Sequence, residues 1–259
     1  MTKEEVAKVL VDAGIENASF EAGLLCEAFS GEALSVAVAR RITRYPLQYI
    51  LGEWGFYRET YEVNEDCLVP RSDTEILVDE AIKMLPHGAR FLDLCTGSGC
   101  IAVSTLANRP DTTAVAVDLY PKTLALAERN AHKNGVAERA RFCLADVKKP
   151  PYGADFKEGG FDAILSNPPY ILDSVMGELQ QEVTFEPSVA LAGGVDGLDF
   201  YRAILLYWVK LLKPNGTVLF EIGYDQKAGI VRLAKEHGFS ATVLRDFGGN
   251  DRVAVLKKV

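Results

Sequence analysis

No stretch of this chain approaches the ~18 consecutive apolar residues that a membrane-crossing helix needs, which argues against an integral membrane protein. The N-terminus, Met1-Thr2-Lys3-Glu4-Glu5, has no basic region followed by an apolar run, so neither a signal peptide nor an Arg-rich transit peptide is expected. Histidine is scarce. His87, His132 and His237 are far apart and form no ligand-like cluster, so no metal site is expected. The five cysteines (Cys26, Cys67, Cys95, Cys100, Cys143) are odd in number and scattered, and no C-x-x-C occurs. They read as reduced thiols of a cytoplasmic protein rather than as a disulfide or zinc framework. Positive charge is also in deficit: 28 Lys and Arg against 36 Asp and Glu give a net charge of −8. That argues against stable binding of nucleic acid through a broad basic face.

What is present is a globular composition, 48% hydrophobic and 25% charged over 259 residues. That length suits one large domain with or without a small one. Residues 1–70 hold 6 basic and 12 acidic residues, so most of the excess acid lies at the N-terminal end. Three domain segments are expected. Residues 1–44 read as a small helical bundle: Thr2 and Glu5 form a capping box, Ser19 caps a second helix ending near Gly31, and a third runs to about Arg44 before Pro46. Residues 45–72 carry Trp54, Phe56, Tyr57, Tyr61 and Val63 and read as a β-hairpin linker. Residues 73–259 alternate strands and helices. A second capping box, Ser72 with Glu75, is expected to start a helix to about Leu85.

Strands are expected at Arg90–Leu94, Thr113–Asp118, Arg141–Ala145, Phe161–Leu165 and Gly216–Ile222, with helices at about Ser98–Asn108, from Pro121, at Phe200–Leu212 and at Gln226–His237. This alternation means an α/β, Rossmann-like, doubly wound sheet with mostly parallel order. The last two strands, Ala241–Arg245 and Arg252–Leu256, are separated by six residues, too few for a crossover helix. They must pair as an antiparallel C-terminal hairpin.

Three segments carry chemistry. Asp93-Leu94-Cys95-Thr96-Gly97-Ser98-Gly99 ends the first of these strands, and its glycines let the backbone turn tightly against a ligand at a helix N-terminus. Gly97-x-Gly99-x-x-Ala102 also fits a dinucleotide fingerprint, which keeps a nicotinamide-dependent oxidoreductase open. Asp118 ends the next strand, where a carboxylate can accept from both ribose hydroxyls of an adenosine; it can equally cap the helix at Pro121. Asp146 ends the third and can take a contact from an adenine amino group. The most specific segment is Asn167-Pro168-Pro169-Tyr170, just beyond an apolar strand. The prolines fix φ and hold the local carbonyls in place. Asn167 adds a side-chain acceptor and Tyr170 a flat face, which together match a planar NH₂ group.

Asn167–Tyr170 resembles the signature of amino-methyltransferases that use S-adenosylmethionine. The fuller resemblance, over about residues 40–256, is to the HemK/PrmC family of peptide-chain release-factor glutamine methyltransferases. It is carried by Arg44–Gly52, Val69-Pro70-Arg71 with Thr74-Glu75, Asp93–Gly99, Ser166–Ile171, Phe185-Glu186-Pro187 with Ala190-Leu191, Gly194–Tyr201, Glu221-Ile222-Gly223 with Gln226, and Asp251-Arg252-Val253. Cys95 stands where the family usually has Gly, Ser72-Asp73 where it has Pro-Glu, and Arg58 where Gly is common.

The resemblance implies a class I methyltransferase fold with S-adenosylmethionine across Cys95, Thr96, Gly97, Ser98, Gly99, Asp118, Asp146 and Val147, its methyl facing Asn167. It implies that the acceptor is the amide nitrogen of the glutamine in a release factor's Gly-Gly-Gln loop. Asn167, Pro168, Pro169 and Tyr170 would bind that amide, with Asn167, Pro168 and Tyr170 catalytic by orientation. Residues 1–40 match the family poorly, and the bundle 1–44 is expected from its acidic charge to recognise a basic face of the partner. Arg71 and Glu75 read as helix-start residues at the cleft mouth, or as a salt bridge. A ribosomal-protein glutamine methyltransferase and a DNA or RNA adenine amino-methyltransferase remain alternatives.

Overall fold

The computed structural model describes all 259 residues. Helices α1 (Lys3–Asp12), α2 (Ala18–Ala28) and α3 (Gly31–Ile42) come first. The Thr2–Glu5 capping box forms, each side chain bonded to the other's backbone amide. The second helix starts one residue before the expected Ser19 cap, and Asn17 at its N-cap makes no side-chain bond. These helices bury Val6, Leu10, Leu25, Leu34 and Val38 against one another and against Leu47 and Ile50. The latter two lie on α4 (Leu47–Leu51), a short helix within the segment read as a hairpin linker. Pro46 opens it, and Gly52 in the left-handed region closes it.

The hairpin itself is β1 (Glu53–Phe56) and β2 (Glu59–Glu62). The expected Ser72–Glu75 capping box is absent. Ser72–Thr74 is a 3₁₀ turn, and α5 (Glu75–Met84) begins after it with no side-chain cap. Glu75 instead accepts from the Tyr57 amide at 2.8 Å, tying the helix to the hairpin.

Then follow β3 (Arg90–Leu94), α6 (Cys100–Asn108), β4 (Thr113–Asp118), α7 (Pro121–Lys133), β5 (Ala140–Leu144), β6 (Phe161–Ser166), α8 (Asp199–Ala203), β7 (Leu212–Glu221), α9 (Lys227–Glu236), β8 (Phe239–Arg245) and β9 (Asp251–Lys258). The expected helix Phe200–Leu212 is helical only in part. After α8 it widens to a π turn over Ile204–Trp208 and tightens to 3₁₀ over Val209–Leu211.

The seven strands order as β5-β4-β3-β6-β7-β9-β8. The first five are parallel; β9 runs antiparallel to both β7 and β8, as the short last connection required. Both faces are covered, so successive residues of β3 enter different cores: Phe91 packs with α5 and α6, Leu92 and Leu94 with Trp208 and the α9 side. No helix is long and apolar enough to cross a membrane. All five cysteines are unpaired.

The order decides where a site can form. From β3 the chain winds outward to β4 and β5, then crosses back to place β6 on the other flank of β3. Such a switch point leaves a crevice beyond the carboxyl ends of its two strands. Leu94 and Ser166 are register partners there, and the Ser166 hydroxyl donates to the Leu94 carbonyl at 2.6 Å. The glycine loop and the Asn-Pro-Pro-Tyr segment, 70 residues apart, therefore leave the sheet side by side.

Candidate functional site

Two adjoining cavities occupy this crevice. The larger, about 350 Å³, is lined by Cys95, Thr96, Gly97, Ser98, Asp118, Asp146, Val147, Asn167 and Pro169 among others. The smaller, about 170 Å³, is lined by Asn167, Pro168, Tyr170, Leu179, Val183 and Glu221 among others. Asn167 borders both. Gly99 lines neither and stands behind the loop, at φ +82°, where an added Cβ would lie 3.1 Å from Ala127 Cβ. Its place is to let α7 pack close. Gly97, at φ +56°, would present a Cβ to open space, so its bare backbone faces the cavity. Cys95 also takes a left-handed φ of +61°, a conformation that favours the glycine common in the resembling family.

The loop is held from below. Asp93 is fully buried, and its Oδ2 accepts from Thr96 Oγ1 at 2.6 Å and from the Ala102 amide at 3.1 Å. Its Oδ1 has no partner. Asp118 accepts from the Gly97 amide at 3.0 Å and the Tyr120 amide at 3.1 Å, so it both steadies the loop and caps the following turn. Each oxygen keeps a lone pair for a ligand hydroxyl. Burial holds its carboxyl above the ordinary value against those two amides. Asp146 accepts from the Lys148 amide at 2.9 Å, and the Val147 carbonyl accepts from the Trp208 indole at 2.9 Å. Asn130 on α7, unsignalled in the sequence, donates to the Ser98 and Glu62 carbonyls and so joins the loop to β2.

These residues fit S-adenosylmethionine. Three carboxylates, Asp66, Asp118 and Asp146, line the adenosine-sized cavity and complement a cationic ligand, a bare glycine backbone borders it, and behind the loop one oxygen of buried Asp93 has no partner. Burial pushes the Asp93 carboxyl up to about 7, with its two hydrogen bonds opposing that rise. A raised carboxyl favours the protonated fold, so this stabilisation is full below the ordinary carboxylate range and is lost as pH rises through about 7. Asp93→Asn removes the titration. In the cofactor-free protein its melting temperature relative to wild type is expected to climb by several degrees from pH 5.5 to 8, read by scanning calorimetry. A flat difference would contradict this.

At the smaller cavity, Asn167 Nδ2 donates to Thr74 Oγ1 at 3.2 Å, which leaves its Oδ1 without a partner in the protein. The Pro168 carbonyl accepts no main-chain amide. Tyr170 is fixed at both ends: its hydroxyl donates to Glu221 at 3.3 Å, and its carbonyl accepts from Gln226 Nε2 at 3.0 Å. Arg71 borders both cavities and pairs with buried Glu186, which also accepts from the Val69 amide at 3.0 Å. Both of its sequence readings are met: it stands at the cleft mouth before α5 and it forms a salt bridge, with the distant Glu186 as partner. Arg41, buried on α3, bonds Glu21 and reaches Glu182 at 3.3 Å, so the N-terminal helices hold the segment that walls the smaller cavity. No local pattern flagged Thr74, Glu221, Glu182 or Glu186 as site residues; three of them appeared only within resembling motifs.

A glycine-loop cavity and an adjoining acceptor-lined cavity at the switch point of a mostly parallel sheet define a class I S-adenosylmethionine-dependent methyltransferase. Residues 72–186 match the methyltransferase small domain family. A methyltransferase from Pyrococcus furiosus shares the fold, with a TM-score of 0.56 at 19% identity over 76% of this chain and 87% of that one. The release factor glutamine methyltransferase of Geobacter sulfurreducens is 38% identical, covering 94% of this chain and 91% of its own. That of Cereibacter sphaeroides is 42% identical over 84% of this chain and 76% of its own. The chain belongs to the release factor glutamine methyltransferase family.

Proposed function

We propose that this protein methylates the side-chain amide nitrogen of the Gly-Gly-Gln glutamine of a peptide-chain release factor, in the cytoplasm where such factors work. The observation that carries this is the position of Asn167, the wall shared by the two cavities, with a free acceptor oxygen. S-adenosylmethionine, when bound, supplies an electrophilic methyl whose sulfur departs as a neutral thioether. An amide nitrogen is a poor nucleophile because its lone pair is delocalised. Asn167 Oδ1 and the Pro168 carbonyl each accept one amide proton and turn that lone pair towards the larger cavity. The Tyr170 ring, anchored through Glu221 and Gln226, packs on the amide plane. Orientation of this kind can supply up to ~7–11 kcal/mol. Neither acceptor is a base, so the residues position the amide during methyl transfer, and the N-methylated amide, cationic once the methyl has arrived, then gives up one N–H proton to water.

The partner is argued from charge. The first three helices and the turn after α1 expose Glu4, Glu5, Asp12, Glu16, Glu27 and Glu32 against Lys3, Lys8 and Arg40, and Arg41 couples these helices to the amide cavity wall. A net-acidic surface on helices tied to that wall suits a basic surface of a protein substrate. Lysines at Glu4, Glu5, Glu27 and Glu32 are expected to raise KM for the factor about 10-fold with kcat unchanged. An unmoved KM would remove these helices from recognition. The reaction is tested with labelled S-adenosylmethionine, a release factor, its Gln→Ala variant and a DNA duplex. Label on the unaltered factor alone supports the reading. Label on DNA would replace it with adenine transfer, which needs an extruded base.

A further inference from the structure

Behind Asn167 lies a buried polar relay whose Thr74 arm has no role in the chemistry above. Thr74, at the start of α5, is 2% exposed; Glu221, the last residue of β7, is 2% exposed. Thr74 Oγ1 donates to Glu221 Oε2 at 2.5 Å and accepts from Asn167 Nδ2 at 3.2 Å. Glu221 Oε1 accepts from the Tyr170 hydroxyl at 3.3 Å. Glu221 has no ion-pair partner: the nearby Arg252 pairs with Asp73 and Asp246 instead. A buried carboxylate held by two hydroxyls is costly, and packing alone does not require one.

The direction of the relay answers a need of the site. An asparagine amide has nearly the same shape after a half-turn, which exchanges its oxygen and its NH₂. Only one orientation gives the glutamine amide an acceptor; the other sets donor against donor. Thr74 alone cannot choose, because a hydroxyl both donates and accepts. Once its single proton is committed to Glu221, it offers Asn167 only lone pairs, so Nδ2 must face Thr74 and Oδ1 must face the cavity. We propose that Glu221, acting through Thr74, is the positioning residue that fixes the Asn167 amide with its oxygen towards the substrate, and that its second oxygen sets the Tyr170 ring.

This inference rests on the glutamine-transfer reading. It has a pH signature. The groups facing Glu221 are Thr74, Asp73, Tyr170 and Arg252, while Tyr201 bonds only its main-chain carbonyl, at 2.8 Å. Burial pushes the Glu221 carboxyl up to about 7, against the Thr74 bond, the Arg252 charge and the Tyr170 bond. Protonated Glu221 carries an O–H. When that O–H donates to Thr74, the Thr74 proton is released to bond Asn167 Oδ1, and the amide can flip. kcat is therefore expected to rise with pH through about 7.

The test measures kcat, KM for the factor and calorimetric cofactor affinity for wild type, T74V, T74S and E221Q from pH 6 to 8.5. T74V is expected to lower kcat about 10–100-fold, with KM and cofactor affinity within about twofold of wild type. T74S, which keeps the hydroxyl, is expected to restore most of kcat. E221Q can accept from Thr74 through its amide oxygen but cannot titrate, so its kcat should be flat where wild type falls. Asp93 titrates in the same range but is untouched in E221Q. T74S as damaging as T74V, cofactor affinity falling with kcat, or an acid limb retained in E221Q would overturn the inference while leaving the function intact. A wild-type enzyme inert on the factor would instead remove the function itself, and the inference with it.

Discussion

Asn167→Ala is expected to lower kcat for the release factor about 10³-fold or more, with cofactor affinity changed only slightly. The size follows from what is lost. Asn167 Oδ1 is the free acceptor on the wall between the two cavities, and its removal leaves the Pro168 carbonyl alone to orient the amide. An amide held at one proton rather than two samples orientations in which its lone pair misses the methyl, and catalysis by orientation is sensitive to such freedom. The cofactor cavity keeps Cys95–Ser98, Asp118, Asp146 and Val147, so binding should persist. Steady-state kinetics beside calorimetry checks both halves. Turnover within a few-fold of wild type would remove Asn167 from the mechanism, whereas loss of cofactor binding would make its role structural.

Gly193→Ala is expected to be nearly as damaging, although the residue touches neither ligand. Its added Cβ would fall 2.6 Å from Tyr170 Cα, 2.8 Å from Tyr170 C and 2.9 Å from the Pro169 carbonyl oxygen. Every one of these atoms is backbone, so no side chain can swing aside. The contact is close because Gly193 donates to the Ile171 carbonyl at 2.7 Å while Ile171 donates to Leu191 at 2.8 Å, clamping the segment to the motif. The motif must shift, and a displacement of about 1 Å at a reacting group can cost 10²-fold in rate. Overpacking should also remove about 1–3 kcal/mol of stability. Gly177→Ala is the control: it lies in the same connection, and its Cβ would meet nothing within 4 Å. Equal effects at the two glycines, or none at Gly193, would contradict the packing argument.

The legible parts of this protein were those whose meaning is local. The short apolar strands, the glycine turn after β3 and the proline-locked turn after β6 each announce themselves within ten residues, and the two turns' positions at strand ends point to one crevice. The interval between the last two strands, six residues as read from the sequence and residues 246–250 in the structure, is too short for a crossover and dictates the antiparallel hairpin by length alone. Two local patterns misled. Ser72 and Glu75 have capping-box spacing, yet Glu75 is used by the Tyr57 amide across the hairpin. The apolar run after Phe200 hides a slip from α to π hydrogen bonding, because either winding buries Ile204, Leu205 and Trp208.

Asp118 has two readings, helix cap and ligand wall: it does not cap the helix at Pro121, whose N-cap Tyr120 has no side-chain bond, but holds the Tyr120 amide and lines the larger cavity. The relay behind Asn167 had no local signature. Thr74 and Glu221 are 147 residues apart and meet only because β6 lies beside β7 and α5 packs near them. The Arg41–Glu182 and Arg71–Glu186 pairs were hidden for the same reason. Polar contacts between distant segments depend on strand order, which hydrophobic periodicity does not encode.

The most direct test is mass spectrometric mapping of a release factor after incubation with the wild-type protein and S-adenosylmethionine. The expected result is one methyl group on the side-chain amide nitrogen of the Gly-Gly-Gln glutamine and none elsewhere on the factor. A methyl on another side chain, or an unmodified factor beside a protein that still binds the cofactor, would contradict the assignment of Asn167–Tyr170 as the clamp for that amide.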